Sequence, residues 1–128
     1  MLQTCTRLHG LRVLIVEDEL VIAMELEDLL RRLGCSVVEA APTLKRALRA
    51  AERQQADVAV LDVNLHGEPV TPVAEALLEQ GVPFVLVTGY GRERLPEGAL
   101  QQVPCLRKPV NCQQIAGALC EVVSRQNG

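Results

Sequence analysis

Short apolar runs recur along the chain, each too short for a helix and each followed by a stretch with helical periodicity, and this alternation constrains the fold more than any other feature. Leu11–Val16, bounded by acids, predicts a strand buried on both faces. A helix follows over Glu19–Leu33, where Ile22, Leu26, Leu29, Leu30 and Leu33 share one stripe, Arg31 and Arg32 occupy the last turn, and Gly34 stands just past the end. The rhythm repeats as a strand over Cys35–Glu39, a helix over Pro42–Arg53, a strand over Val58–Leu61 and a helix over Thr71–Gln80. That third helix has Pro72 in its first turn and Gly81 after its last. Strands are then expected over Pro83–Val87 and Cys105–Arg107, before a last helix capped by Asn111 with Cys112, Ile115, Leu119 and Val122 on one face. Between them, Glu93–Gln102 holds Pro96, Gly98 and few apolar residues, so the fourth helix is expected to be short or irregular.

Five strands alternating with helices imply an α/β fold, a doubly wound parallel sheet with helices on both faces, because each crossover is right-handed and lays its helix on the sheet. The chain's 128 residues suffice for one such core. Residues 1–10 and 125–128 are expected as tails around a unit spanning 11–124, with no room for a second output domain. A net charge of −3 and 2% aromatic residues argue against a phosphate-tracking groove or a base-stacking platform, so no nucleic-acid partner is expected. Cys5, Cys35, Cys105, Cys112 and Cys120 form no Cys-x-x-Cys pair and no zinc spacing. Without a membrane-length apolar run or a signal-peptide core, the default placement is the cytoplasm, with reduced thiols and no membrane partner.

In sheets of this kind the site lies outside the carboxyl ends of the strands. There the sequence delivers Glu17 and Asp18 after the first strand, Asp62 after the third, Thr88 after the fourth and Lys108 after the fifth. Three carboxylates at one sheet edge raise one another's pKa values unless a cation sits among them. A hard divalent ion that keeps several waters suits that position, which points to Mg2+. With Lys108 and the ion neutralising phosphoryl oxygens, Thr88 donating a hydrogen bond and Asp62 attacking in line, the set suits phosphoryl transfer onto a carboxylate. The product is an acyl phosphate, a readily hydrolysed and therefore temporary mark.

The segments Val13-Leu-Ile-Val-Glu17-Asp18-Glu19, Leu61-Asp62-Val-Asn64, Val87-Thr88-Gly89 and Lys108-Pro109 resemble the receiver domain of two-component response regulators, over roughly Leu11 to Val123. The resemblance implies a flavodoxin-like fold, a cytoplasmic and bacterial setting, and a phosphoryl group accepted on Asp62 from a phosphohistidine of a sensor histidine kinase or histidine phosphotransfer protein. It implies further that Asp18, Asp62 and the backbone carbonyl of Asn64 ligate Mg2+, that Glu17 assists through water, that Thr88 and Lys108 contact the phosphoryl group, and that the Lys108–Pro109 bond is cis. From Asp62 onward the chain also resembles single-domain receivers carrying a Phe-Ala-Thr-Gly-Tyr motif, although Leu86 and Val87 stand at the first two motif positions. Cys105 occupies the place of the aromatic residue that the usual receiver couples to its threonine, and the resemblance to the single-domain group implies a tyrosine in its stead, so Thr88 and Tyr90 are the expected switch pair. The implied output is contact with an unknown downstream protein or service as a phosphate sink, by a monomer or weak homodimer.

Other readings of the same residues are specific. Glu17 and Asp18 are also suited to helix capping and Asp62 to a turn, while His66, close after Asp62, is suited to a touch on the site or to a solvated loop. A phosphohydrolase with an aspartate nucleophile usually carries a second aspartate two residues on, where this chain has Asn64. A nucleotide-binding loop at Glu17-Asp18-Glu19 would repel phosphate. A receiver-like interaction module that is never phosphorylated is the remaining alternative. Apart from its own phosphorylation and dephosphorylation, no enzymatic turnover is expected.

Overall fold

A computed structural model describes residues 8–89 and 102–127. The first strand, β1, spans Arg12–Val16 and leads into helix α1 (Leu20–Arg32). Strand β2 (Ser36–Ala41), helix α2 (Leu44–Glu52) and strand β3 (Val58–Asp62) follow. A two-residue ribbon, β4 (Asn64–Leu65) with β5 (Glu68–Pro69), precedes helix α3 (Thr71–Gln80), strand β6 (Phe84–Thr88), strand β7 (Cys105–Arg107) and helix α4 (Cys112–Asn127). The five long-range strands form one sheet in the order β2-β1-β3-β6-β7, parallel throughout. The expected doubly wound α/β architecture is therefore the observed one. No helix among the described residues is long and apolar enough to cross a membrane.

Both faces of the central strands are apolar, which is why they appear in the sequence as unbroken runs rather than alternating patterns. Leu14 and Val16 of β1, Ala59 and Leu61 of β3, and Phe84 and Leu86 of β6 face one core, packed with Ala47 of α2 and Leu77 of α3. The intervening residues Val13, Ile15, Val58, Val60, Val85 and Val87 face the other, packed with Leu26 and Leu30 of α1 and Ile115 and Leu119 of α4. Ile15 is fully buried in the middle of the sheet. Ile15→Ala is expected to lower the unfolding free energy by about 3–4 kcal/mol, measured as a shifted midpoint in urea with an unchanged slope.

Element ends follow local chemistry. Helix α2 starts at Leu44 rather than Pro42, because the Thr43 hydroxyl caps it by accepting from the Arg46 N–H at 3.2 Å. Asn111 and Gln114 form a reciprocal capping box at the start of α4: Gln114 N–H donates to Asn111 Oδ1 at 2.8 Å, and Asn111 N–H to Gln114 Oε1 at 2.9 Å. Gly81 ends α3 in the left-handed conformation, at φ 73°. Strand β2 runs two residues past the expected Glu39. Its register against β1 slips by one between Val13 and Leu14, so Val38 is the extra residue of a bulge. Leu8, within the expected tail, is fully buried in the α1/α4 core, and Cys35 Sγ lies 3.4 Å from its carbonyl oxygen. Helix α4 continues to Asn127. The expected fourth helix at Glu93–Gln102 falls almost wholly outside the described residues.

Candidate functional site

Strand order reverses between β1, whose partners are β2 and β3, and β3, whose other partner is β6. This is a topological switch point, where the connections from neighbouring strands lead to opposite sides and leave a crevice. The ladders place the candidate residues around it. Glu17 N–H extends the sheet by donating to the Ala41 carbonyl at 3.1 Å, Asp62 is level with Val87, and Thr88 with Arg107. Lys108 N–H then donates to the Thr88 carbonyl at 2.8 Å, which seats Lys108 beside the ends of β3 and β6. The Lys108–Pro109 bond is cis, as the resemblance implies.

Glu17, Asp62 and Thr88 are the buried polar or charged residues among those described. Lys108 Nζ lies 2.8 Å from Glu17 Oε1 and 3.3 Å from Asp62 Oδ2, so one ammonium serves two buried carboxylates. Asp62 Oδ1 accepts from the Asn64 N–H at 3.3 Å, and Glu17 Oε2 from the Glu19 N–H at 3.1 Å. Asp18 faces outward over a cleft of about 380 Å³ whose lining includes Asp62, Asn64, His66, Gly89 and Lys108.

The capping alternative for the acidic pair does not hold. The N-cap of α1 is Glu19, its side chain makes no capping bond, and neither Glu17 nor Asp18 takes that place. Burial pushes Glu17 up to about 7, with the nearby Asp62 charge adding to the shift and Lys108 and the Glu19 N–H opposing it. Burial likewise raises Asp62, against the pull of Lys108 and the Asn64 N–H. For Asp18 burial acts upward too, but hydrogen bonds from Glu17, the His66 N–H and Asp62 outweigh it and hold the group below its ordinary value. Burial would lower Lys108, yet contacts with Glu17 and Asp62 hold it above its ordinary value.

Ligand oxygens of Glu17, Asp18 and Asp62 all lie within 4.8 Å of one another. A single ammonium cannot balance three carboxylates, and the donor set is entirely oxygen. Both facts fit a hard divalent cation. The side chain of Asn64 is already engaged, accepting from the Gly67 N–H at 2.7 Å.

His66 touches the site from a solvated turn, so both readings of it apply. Its N–H donates to Asp18 Oδ2 at 2.9 Å and its ring Nδ1 lies 3.3 Å from the same oxygen. The ring itself is 70% exposed, so the contact is at the rim. The closeness of His66 to Asp62 was legible in the sequence, but nothing there signalled a partner 48 positions away. Tyr90, the expected switch residue, lies outside the described residues.

Comparison with known proteins agrees with this geometry. Residues 13–119 match the family model described as the response regulator receiver domain. The chain is 41% identical to SdrG from Sphingomonas melonis Fr1, covering 89% of this chain and 97% of that one, with a TM-score of 0.80. It is 40% identical to the BeF3-activated conformation of SdrG from Pseudomonas melonis Fr1, covering 89% and 98%, with a TM-score of 0.76. It is 30% identical over 117 residues to the transcriptional regulatory protein PdtaR of Mycobacterium tuberculosis strain H37Rv, covering 89% of this chain and 57% of that protein. The chain thus spans little more than half the length of that curated relative.

Proposed function

Because the chain belongs to the response regulator receiver domain family, we propose that it accepts a phosphoryl group on Asp62 from a phosphohistidine of a sensor kinase or phosphotransfer protein. The observation that carries this reading is one buried ammonium shared by two carboxylates at the switch point, with Asp62 reaching the cleft. A carboxylate oxygen of Asp62 forms the new bond to phosphorus while the bond from phosphorus to the donor imidazole nitrogen breaks, and the electron pair leaves with the imidazole. Lys108, already seated on Asp62, neutralises the charge spread over the phosphoryl oxygens. Thr88, at the end of β6, contributes a hydroxyl to the same group. Asp18, Asp62 and the Asn64 carbonyl hold Mg2+, with Glu17 behind them. When bound, the ion supplies a hard positive charge against the phosphoryl oxygens and the carboxylates.

Loss of the mark repeats the substitution at phosphorus with Asp62 as the leaving group: a water oxygen bonds to phosphorus, the bond from phosphorus to the Asp62 oxygen breaks with its electron pair staying on the carboxylate, and inorganic phosphate and a proton are released. The chain then acts through protein contact, in a two-component pathway of the cytoplasm, or drains phosphoryl groups as a sink. Thr88 and Tyr90 carry the switch. The nearness to the BeF3-activated SdrG structure supports this reading over an unphosphorylated interaction module.

Intact mass after incubation with acetyl phosphate tests the proposal. One added phosphoryl group is expected, dependent on magnesium and absent from Asp62→Asn. No mass shift in the wild type with magnesium, or an equal shift in Asp62→Asn, overturns it.

A further inference from the structure

Asp18 is held at the rim of the cleft by a device that the family motifs do not describe. The ribbon of β4 and β5 closes through His66 and Gly67, both left-handed at φ 51° and 86°, the geometry of a tight type I′ hairpin turn. Three anchors fix this turn. Leu65 is buried, Gly67 N–H donates to Asn64 Oδ1 at 2.7 Å, and Val70 N–H donates to the Val63 carbonyl at 3.0 Å. Because His66 sits at the turn rather than in the ladder, its N–H is available to another element, and it donates to Asp18 Oδ2 at 2.9 Å. The ring lies against the same oxygen through Nδ1, at 3.3 Å.

We propose that His66 is a positioning residue for the metal site: its N–H and its ring Nδ1–H together clamp Asp18 Oδ2, orienting the carboxylate so that its other oxygen is presented to the divalent cation. The inference rests on the receiver reading for the identity of that cation. A ligating carboxylate gains affinity when a partner outside the metal shell fixes its rotation, since less freedom is lost on binding. The tautomer is part of the proposal, because only a ring with the proton on Nδ1 donates to Asp18.

Two measurements on the full chain decide it. The ring 15N shifts of His66 are expected to report the Nδ1–H tautomer in the wild type, and to move toward the ordinary Nε2–H form in Asp18→Ala. Magnesium titration followed by amide shifts is expected to show binding weakened about 3- to 10-fold in His66→Ala, below the 10- to 100-fold typical of buried outer partners because this ring is exposed. His66→Gly removes the ring while keeping the N–H and a comfortable positive φ. It is expected to weaken binding to the same extent, which separates the ring's role from backbone strain. An Nε2–H ring indifferent to Asp18, or magnesium affinity unchanged or tightened in His66→Gly, overturns the clamp. The wild-type acetyl phosphate reaction reports separately on the receiver reading, since the ring tautomer is read without phosphoryl transfer.

Discussion

Lys108→Ala is expected to reduce phosphoryl incorporation at Asp62 by about 100- to 1000-fold, the usual consequence of deleting one preorganised donor to developing negative charge. Its effect on stability is equally informative. Without the ammonium, Glu17 and Asp62 stand buried with no cation, a situation that costs about 3–5 kcal/mol when both partners stay charged. Protonation limits the loss, because a carboxylate already raised by burial takes up a proton in preference to unfolding the chain. The destabilisation is therefore expected to be small at pH 5 and to approach its full size by pH 8. Urea unfolding of wild type and Lys108→Ala at both pH values checks this, and a pH-independent difference would assign the loss to the packing of the lysine stem.

The wild-type protein without magnesium is expected to lose stability as pH rises from about 4.5 to about 7. Glu17 is buried, and its folded pKa of about 7 exceeds its ordinary 4.5. Between these values the native state binds the proton that the unfolded chain has released, so the unfolding free energy falls with pH. A shift of this size corresponds to about 3 kcal/mol across the window. Asp62, raised in the same direction, steepens the slope. Asp18 has the opposite sign, since its depressed pKa contributes stability that is lost as pH falls, but that loss lies below its ordinary 3.8 and outside the window. The pairing of Lys108 is lost only above its ordinary 10.5. Glu17→Gln should flatten most of the slope, and saturating magnesium should do the same, because the metal favours ionised carboxylates. Chemical denaturation at half-unit pH steps provides the measurement.

The sheet and the polar residues at its edge were legible in the sequence for one physical reason. A parallel strand buried on both faces must be apolar throughout, so the polar residue that ends it stands out. Glu17 follows such a run and Asp62 and Thr88 end one, with the last two placed by the ladders, whereas Lys108 follows the short edge strand β7, which ends on the exposed Arg107. What escaped was set by long-range geometry. The bulge at Val38 depends on how β2 lies on β1, not on the residues of β2. Leu8 is buried because α1 and α4 leave room for it, and no periodicity in a short segment reports that. His66 reads as a loop residue near the site, while its contact with Asp18 is fixed by where the ribbon lies. Pro42 reads as helical through its place before an amphipathic run, whereas the Thr43 cap starts the helix after it.

The site's four contributing strand ends are spread along the chain, and the ammonium that balances Glu17 and Asp62 arrives 46 residues after Asp62, on the far side of β7. That strand is only three residues long and lies at the edge of the sheet. During synthesis the acidic cluster is therefore made first and neutralised last, and a nascent chain that has reached β6 carries its carboxylates without their counterion. In the finished protein, edge strands open more readily than central ones. Fraying of β7 withdraws Lys108, so the ion pairs that hold Glu17 and Asp62 are tied to closure of the outermost strand, and the charge state of two buried carboxylates reports whether that strand is in place.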